Sequence, residues 1–207
     1  MSPETIVAFL GAALILAFVP GPDNIFVLTN SAMRGRAAGF IIVLGLCAGL
    51  IVHTTAVALG VAALFQTSQL AFNVLKYAGA VYLAYLAWQS FRARPEAIEQ
   101  KPDRVSEGRE FFLRGVIMNV TNPKVSIFFL TFLPQFVDQQ AGNVTLQLLA
   151  LGGLFILATI VAFGIIAIFA ASLGTRLIQS TKAQTIMNKI ASVVFLGLAL
   201  RLATTQR

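Results

Sequence analysis

The chain has 207 residues, of which 57% are hydrophobic and only 11% charged. Soluble domains carry about 25% charged residues, so this composition is that of a membrane protein and leaves no room for a separate soluble domain. The net charge of +7 would suit a nucleic-acid binder, but the basic residues lie between apolar blocks instead of forming a patch with aromatics, which excludes that class.

The first four residues, Met1-Ser2-Pro3-Glu4, lack the basic start of a signal peptide, so the first apolar block is expected to stay in the mature protein. A crossing helix needs about 20 apolar residues. Six such segments are predicted, over 5–29, 39–65, 70–91, 111–136, 144–172 and 184–204. The first contains Val19-Pro20-Gly21-Pro22-Asp23. Each proline removes a donor and collides with the preceding turn, so the helix is predicted to kink or break there. Arg34 and Arg36 follow it.

The second segment carries Gly45 and Gly49, a GxxxG pair. Such pairs let helices approach closely; packing within the monomer is the expected use and a homodimer contact the alternative. Cys47 and His53 are the single cysteine and the single histidine. They exclude an intrachain disulfide and an HExxH zinc site, and no metal or other cofactor is expected. Six residues are about 240° round a helix, so the two do not share a face and a Cys–His nucleophile is not expected. His53 has two readings: a proton relay inside the membrane, or a packing histidine bonded to a neighbouring carbonyl.

In the third segment Lys76 is expected to snorkel to the interface, as is Lys189 in the sixth; Tyr82, Tyr85 and Trp88 are candidate interfacial anchors. The stretch 92–110 holds Arg92, Arg94, Lys101, Arg104 and Arg109 with five acidic residues and is expected to be a solvated linker. The fourth segment contains Asn119 and then Val120-Thr121-Asn122-Pro123-Lys124. Cytoplasmic connections are enriched in Lys and Arg. Arg34, Arg36, the five linker residues, Arg176 and Lys182 fall in the first, third and fifth connections, and none falls near 66–69 or 137–143. The basic connections are therefore expected inside and both termini outside.

The two halves resemble each other. Val19, Pro22 and Asp23 match Val120, Pro123 and Lys124 at a spacing of 101 residues. In the second and fifth segments Gly49, Thr55 and Gly60 match Gly153, Thr159 and Gly164, and in the third and sixth Lys76 matches Lys189. The expected fold is all-α and polytopic: one transporter domain with repeat 1 over about 1–91, the linker 92–110 and repeat 2 over about 111–207. Three segments per half make this a 3+3 inverted repeat with proline-broken helices 1 and 4, an architecture that places substrate near the bilayer midplane.

Asp23 is the only acidic residue deep in a segment. A charge at the centre of the bilayer costs about 2.5–3.5 kcal/mol on insertion scales. Pairing Asp23 with Lys124 across the pseudo-two-fold axis would offset much of that. One reading is a structural ion pair; the other is a carboxylate that takes and gives a proton during transport. At a broken helix, Lys124 suits a substrate carboxylate and Asp23 an ammonium. Asn24, Asn119, Thr121 and Asn122 lie close by in sequence as neutral hydrogen-bonding candidates.

With Pro20-Gly21-Pro22-Asp23 in the first segment, Arg34-Gly35-Arg36 with Gly39 after it, and Asn122-Pro123-Lys124 in the fourth, the whole chain resembles the LysE/RhtB family of bacterial amino-acid exporters. The resemblance implies export of amino acids from the cytoplasm across the inner membrane, driven by the proton gradient. It also implies that Pro20, Gly21, Pro22, Asp23, Asn122, Pro123 and Lys124 form the functional core. The partners it implies are an amino acid, protons and the lipid bilayer. The absence of a second carboxylate in the segments tilts the cargo towards neutral amino acids such as threonine, homoserine or leucine. A basic amino-acid exporter, an uncoupled small-solute exit channel and an accessory membrane protein are the alternatives. A membrane enzyme is not expected, for want of a nucleophile–base pair or a metal cluster.

Overall fold

Where water is excluded, every backbone N–H and C=O must be paired inside the chain, and a helix does this within one segment. The computed structural model describes residues 1–67, 69–94, 108–138, 140–173 and 180–204, and these form helices with no strand among them. In chain order they are α1 (Pro3–Phe18), α2 (Pro22–Arg34), α3 (Arg36–Thr67), α4 (Gln69–Arg92), α5 (Gly108–Val120) and α6 (Pro123–Ile127). A π-helical turn (Phe128–Phe132) and a 3-10 turn (Leu133–Phe136) continue α6, followed by α7 (Val144–Leu173) and α8 (Thr181–Thr204). Most of the linker expected over 92–110 lies outside the described residues, as does Arg176.

The prolines break two segments as expected. Between α1 and α2 the axis bends by 62°, and between α5 and Pro123–Phe136 by 49°. Ser2 caps α1 by accepting from the Thr5 N–H at 3.3 Å. Gly35, at φ 86°, closes α2 with its N–H donated to Ser31 O at 3.0 Å and turns the chain into α3. That left-handed backbone is one that favours glycine.

Three helices are long and apolar enough to cross a membrane alone: Arg36–Gly60, Val144–Ser172 and Gln184–Thr204. Each bent pair reaches the same standard when joined, giving up to five spans. Helix α4 coincides with the expected third segment and is not among these spans, which were found among the described residues. Among the described residues, length and composition thus give three to five spans.

Helix α3 packs along α7 and α5, α4 packs along α8, and α1 and α2 both pack on α7. The GxxxG face of α3 is used inside the monomer. A Cβ at Gly45 would press into the Phe112 carbonyl, and one at Gly49 would lie 2.7 Å from Asn119 Oδ1. Replacing Gly45 by alanine is therefore expected to cost about 1–3 kcal/mol through overpacking. Thermal unfolding in detergent reads this, and an unshifted midpoint would show that α3 and α5 need no close approach.

Two apolar clusters fill the interior. One gathers Phe9, Phe128, Phe129, Phe132, Phe136 and Phe155 between α1, the π-helical turn and α7. Its rings meet edge-on or tilted, as in the Phe9–Phe136 pair at 5.1 Å and the Phe129–Phe155 pair at 5.1 Å. The other joins Val27, Ile42, Leu46, Phe111, Phe163 and Ala167. Lipid tails are as apolar as these side chains, so their cohesion comes from close packing. Lys76 departs from its expected snorkelling: it is buried, with its ammonium 4.5 Å from the Tyr77 ring centroid, where the aromatic face compensates the charge. Lys189 is exposed. Arg92 lies over the Trp88 ring at 5.4 Å.

Candidate functional site

Both breaks open onto one cavity, situated where the two apolar clusters meet. Its polar lining is Asp23 from α2, Asn119 from α5, Lys124 from α6 and Thr159 from α7. The apolar lining is Leu16 and Ala17 from α1, Leu46 and Leu50 from α3, Val125, and Phe155 and Phe163 from α7. The space between these residues, mouth included, is about 320 Å³.

The chemistry of each break follows from its sequence. A continuous helix would give Ala17 O and Val19 O the N–H groups of Gly21 and Asp23; the bend takes these away. Asn24 Nδ2 donates to Ala17 O at 2.7 Å instead, and Lys124 Nζ donates to Val19 O at 3.1 Å. Lys124 thus reaches out of the second half and sits at the C-terminal end of α1, where a cation meets the negative end of the helix dipole. Gly21 makes room for it, since a Cβ there would lie 3.2 Å from Nζ. At the second break Asn122 caps α6, its Oδ1 accepting from the Lys124 N–H at 3.0 Å.

Asp23, Asn24, Asn119 and Asn122 are each 3% exposed and Lys124 is 8% exposed. Buried polar atoms normally find partners. Here Asp23 Oδ1, Asn24 Oδ1, Asn119 Oδ1 and Asn122 Nδ2 have none among the described residues. No Asp23–Lys124 ion pair within 4.0 Å is present among the described residues. The direct pairing expected from the sequence is therefore replaced by two charges on one cavity, the cation already spent on a backbone carbonyl. Orphaned donors and acceptors beside two buried charges leave this cavity short of polar partners, which a polar guest or ordered water would supply.

The other expected site residues are placed differently. His53 is half-buried and does not line the cavity. Its Nε2 lies 3.1 Å from Asn119 O; a carbonyl only accepts, so Nε2 carries the hydrogen. Its ring lies 5.7 Å from that of Phe129. Thr121 is exposed, its hydroxyl donated back to Ile117 O at 2.8 Å. Pro20 is half-buried, and Pro22 and Pro123 are exposed; they shape the breaks and contribute nothing polar to the lining. Sequence reasoning missed the apolar wall on α3 and α7, although Thr159 carried a signal as the repeat partner of Thr55. Among the described residues no cluster of metal-ligating side chains is found.

A protein-family profile described as LysE type translocator matches residues 14–206. The chain belongs to that family. This LysE type translocator is 32% identical over 200 residues to an uncharacterized membrane protein of Vibrio cholerae serotype O1 (strain ATCC 39315 / El Tor Inaba N16961), covering 96% of both chains. It is 27% identical over 207 residues to the uncharacterized membrane protein YrhP of Bacillus subtilis (strain 168), covering 96% of this chain and 98% of the relative. No solved structure matches. Membership of the LysE type translocators makes the chain a membrane transport protein for small solutes.

Proposed function

We propose that this translocator is a secondary-active exporter of neutral amino acids from the cytoplasm, working as a proton antiporter. The observation that carries the reading is the cavity on which Asp23 of one half and Lys124 of the other both open without pairing within 4.0 Å. A bound amino acid places its carboxylate at Lys124 and its ammonium at Asp23 and Asn119 Oδ1. It adds no net charge to the site, whereas a dibasic amino acid would add one that no second buried carboxylate answers. When substrate leaves, the Asp23 carboxyl takes up a proton in place of the departed ammonium, so that substrate and proton occupy it alternately.

The accompanying architecture is a six-span 3+3 inverted repeat in the cell inner membrane, with α4 as the third span, the basic connections in the cytoplasm and both termini outside. The packing of α3 on α7 and of α4 on α8 pairs elements that correspond in the two halves and supports that reading. Counterflow in proteoliposomes with a panel of amino acids, with and without a pH gradient, tests it. Saturable exchange of neutral amino acids, accelerated by the gradient, is expected. Non-saturating flux indifferent to the gradient would replace the exporter by an exit channel, and no amino-acid flux under any gradient would remove the reading altogether.

A further inference from the structure

Hydroxyls within membrane helices ordinarily return to the carbonyl one turn back. Thr54 donates to Leu50 O at 2.7 Å, Thr55 to Ile51 O at 2.9 Å and Thr131 to Ile127 O at 2.7 Å. Thr159, the repeat partner of Thr55, is among those that do not: like Thr29 and Ser31, its hydroxyl makes no hydrogen bond among the described residues, although the residue is only 3% exposed, and of these three it alone lines the cavity. It lines the cavity on α7, one turn from Phe155 on one side and Phe163 on the other. Side chains four residues apart share a helix face, so the hydroxyl sits between two phenyl rings. Leu46 and Leu50 of α3 complete that wall, and the charged groups come from α2 and α6.

The cavity therefore has a charged end for the groups common to all amino acids and an apolar wall bearing one unpartnered hydroxyl. We infer that Thr159 is the residue that reads the substrate's side chain, selecting short side chains that carry a hydrogen-bonding group over alkyl chains of the same shape. The inference rests on the exporter reading above and names its specificity element. An alkyl side chain leaves the hydroxyl buried and unpaired, while a hydroxyl on the substrate pairs it; the phenyl rings limit the length admitted. A neutral hydrogen bond in such a setting corresponds to a preference of about tenfold.

Threonine and valine are near-isosteres that separate shape from hydrogen bonding. In counterflow with purified protein in proteoliposomes, wild type is expected to favour threonine over valine by about tenfold. Thr159→Val is expected to bring that ratio close to one, while Thr159→Ser keeps it. A Thr159→Val protein with an unchanged ratio overturns the assignment, as does a wild type that moves both equally. A wild type that moves no amino acid sinks the exporter reading as well, which separates the two failures. Should Thr159→Val not insert, thermal shifts of detergent-purified wild type decide: a larger stabilisation by threonine than by valine supports the assignment, and equal stabilisation overturns it.

Discussion

Replacing Asp23 by asparagine is expected to lower proton-driven export by at least about 100-fold, the scale on which a positioned proton-transfer group contributes. The side chain keeps its shape and its place among Asn24, Asn119 and Asn122, so insertion and yield should hold. Export from proteoliposomes under an imposed pH gradient measures the loss, and counterflow without a gradient locates it. If counterflow survives while gradient-driven export is lost, the carboxyl carries the proton. Loss of both means that Asp23 also holds the substrate ammonium. Export that keeps its normal dependence on the gradient would remove Asp23 from proton coupling.

Lys124→Met is expected to destabilise the folded protein by about 3–5 kcal/mol, as when one member of a buried charge set is removed. Two losses combine. Val19 O gives up the donor that Lys124 Nζ supplies at 3.1 Å, and Asp23, 3% exposed, keeps its charge with no cation on the cavity. The double variant Asp23→Asn with Lys124→Met removes both charges and is expected to recover more than half of the loss, leaving mainly the unsatisfied carbonyl. Thermal unfolding of the wild type, the two single variants and the double variant in one detergent forms the cycle. Additive losses would show that the two charges do not sense each other. Transport should stay absent in the double variant, since neither end of a zwitterion then finds its counter-charge.

Much of the frame was legible in the residues. Apolar runs long enough to span, interrupted at Pro20-Gly21-Pro22 and at Pro123, could only become helices with breaks, and the bends of 62° and 49° fall at those places. The glycine pair of α3 was legible as a packing surface, but its partner α5 was not, because small residues state that something comes close without stating what. Helix α4 (Gln69–Arg92) falls where the third segment was expected, over 70–91. The placement of Lys76 was misread because a lysine in an apolar segment has an aromatic face as well as an interface to satisfy it, and here it lies over Tyr77.

By itself the sequence determined that two charges, each directly after a proline, would lie inside apolar helices at matching places in two halves. That follows from local chemistry, since proline forbids a backbone bond wherever the chain goes and a charge is costly wherever lipid surrounds it. Only the tertiary structure decided what those charges meet. The Lys124 ammonium lies on Val19 O, the Asp23 carboxyl and Thr159 line the same cavity, and His53 lies off it on Asn119 O. These are relations between residues on different helices, set by how α1, α3 and α7 pack, and no spacing along one chain contains them.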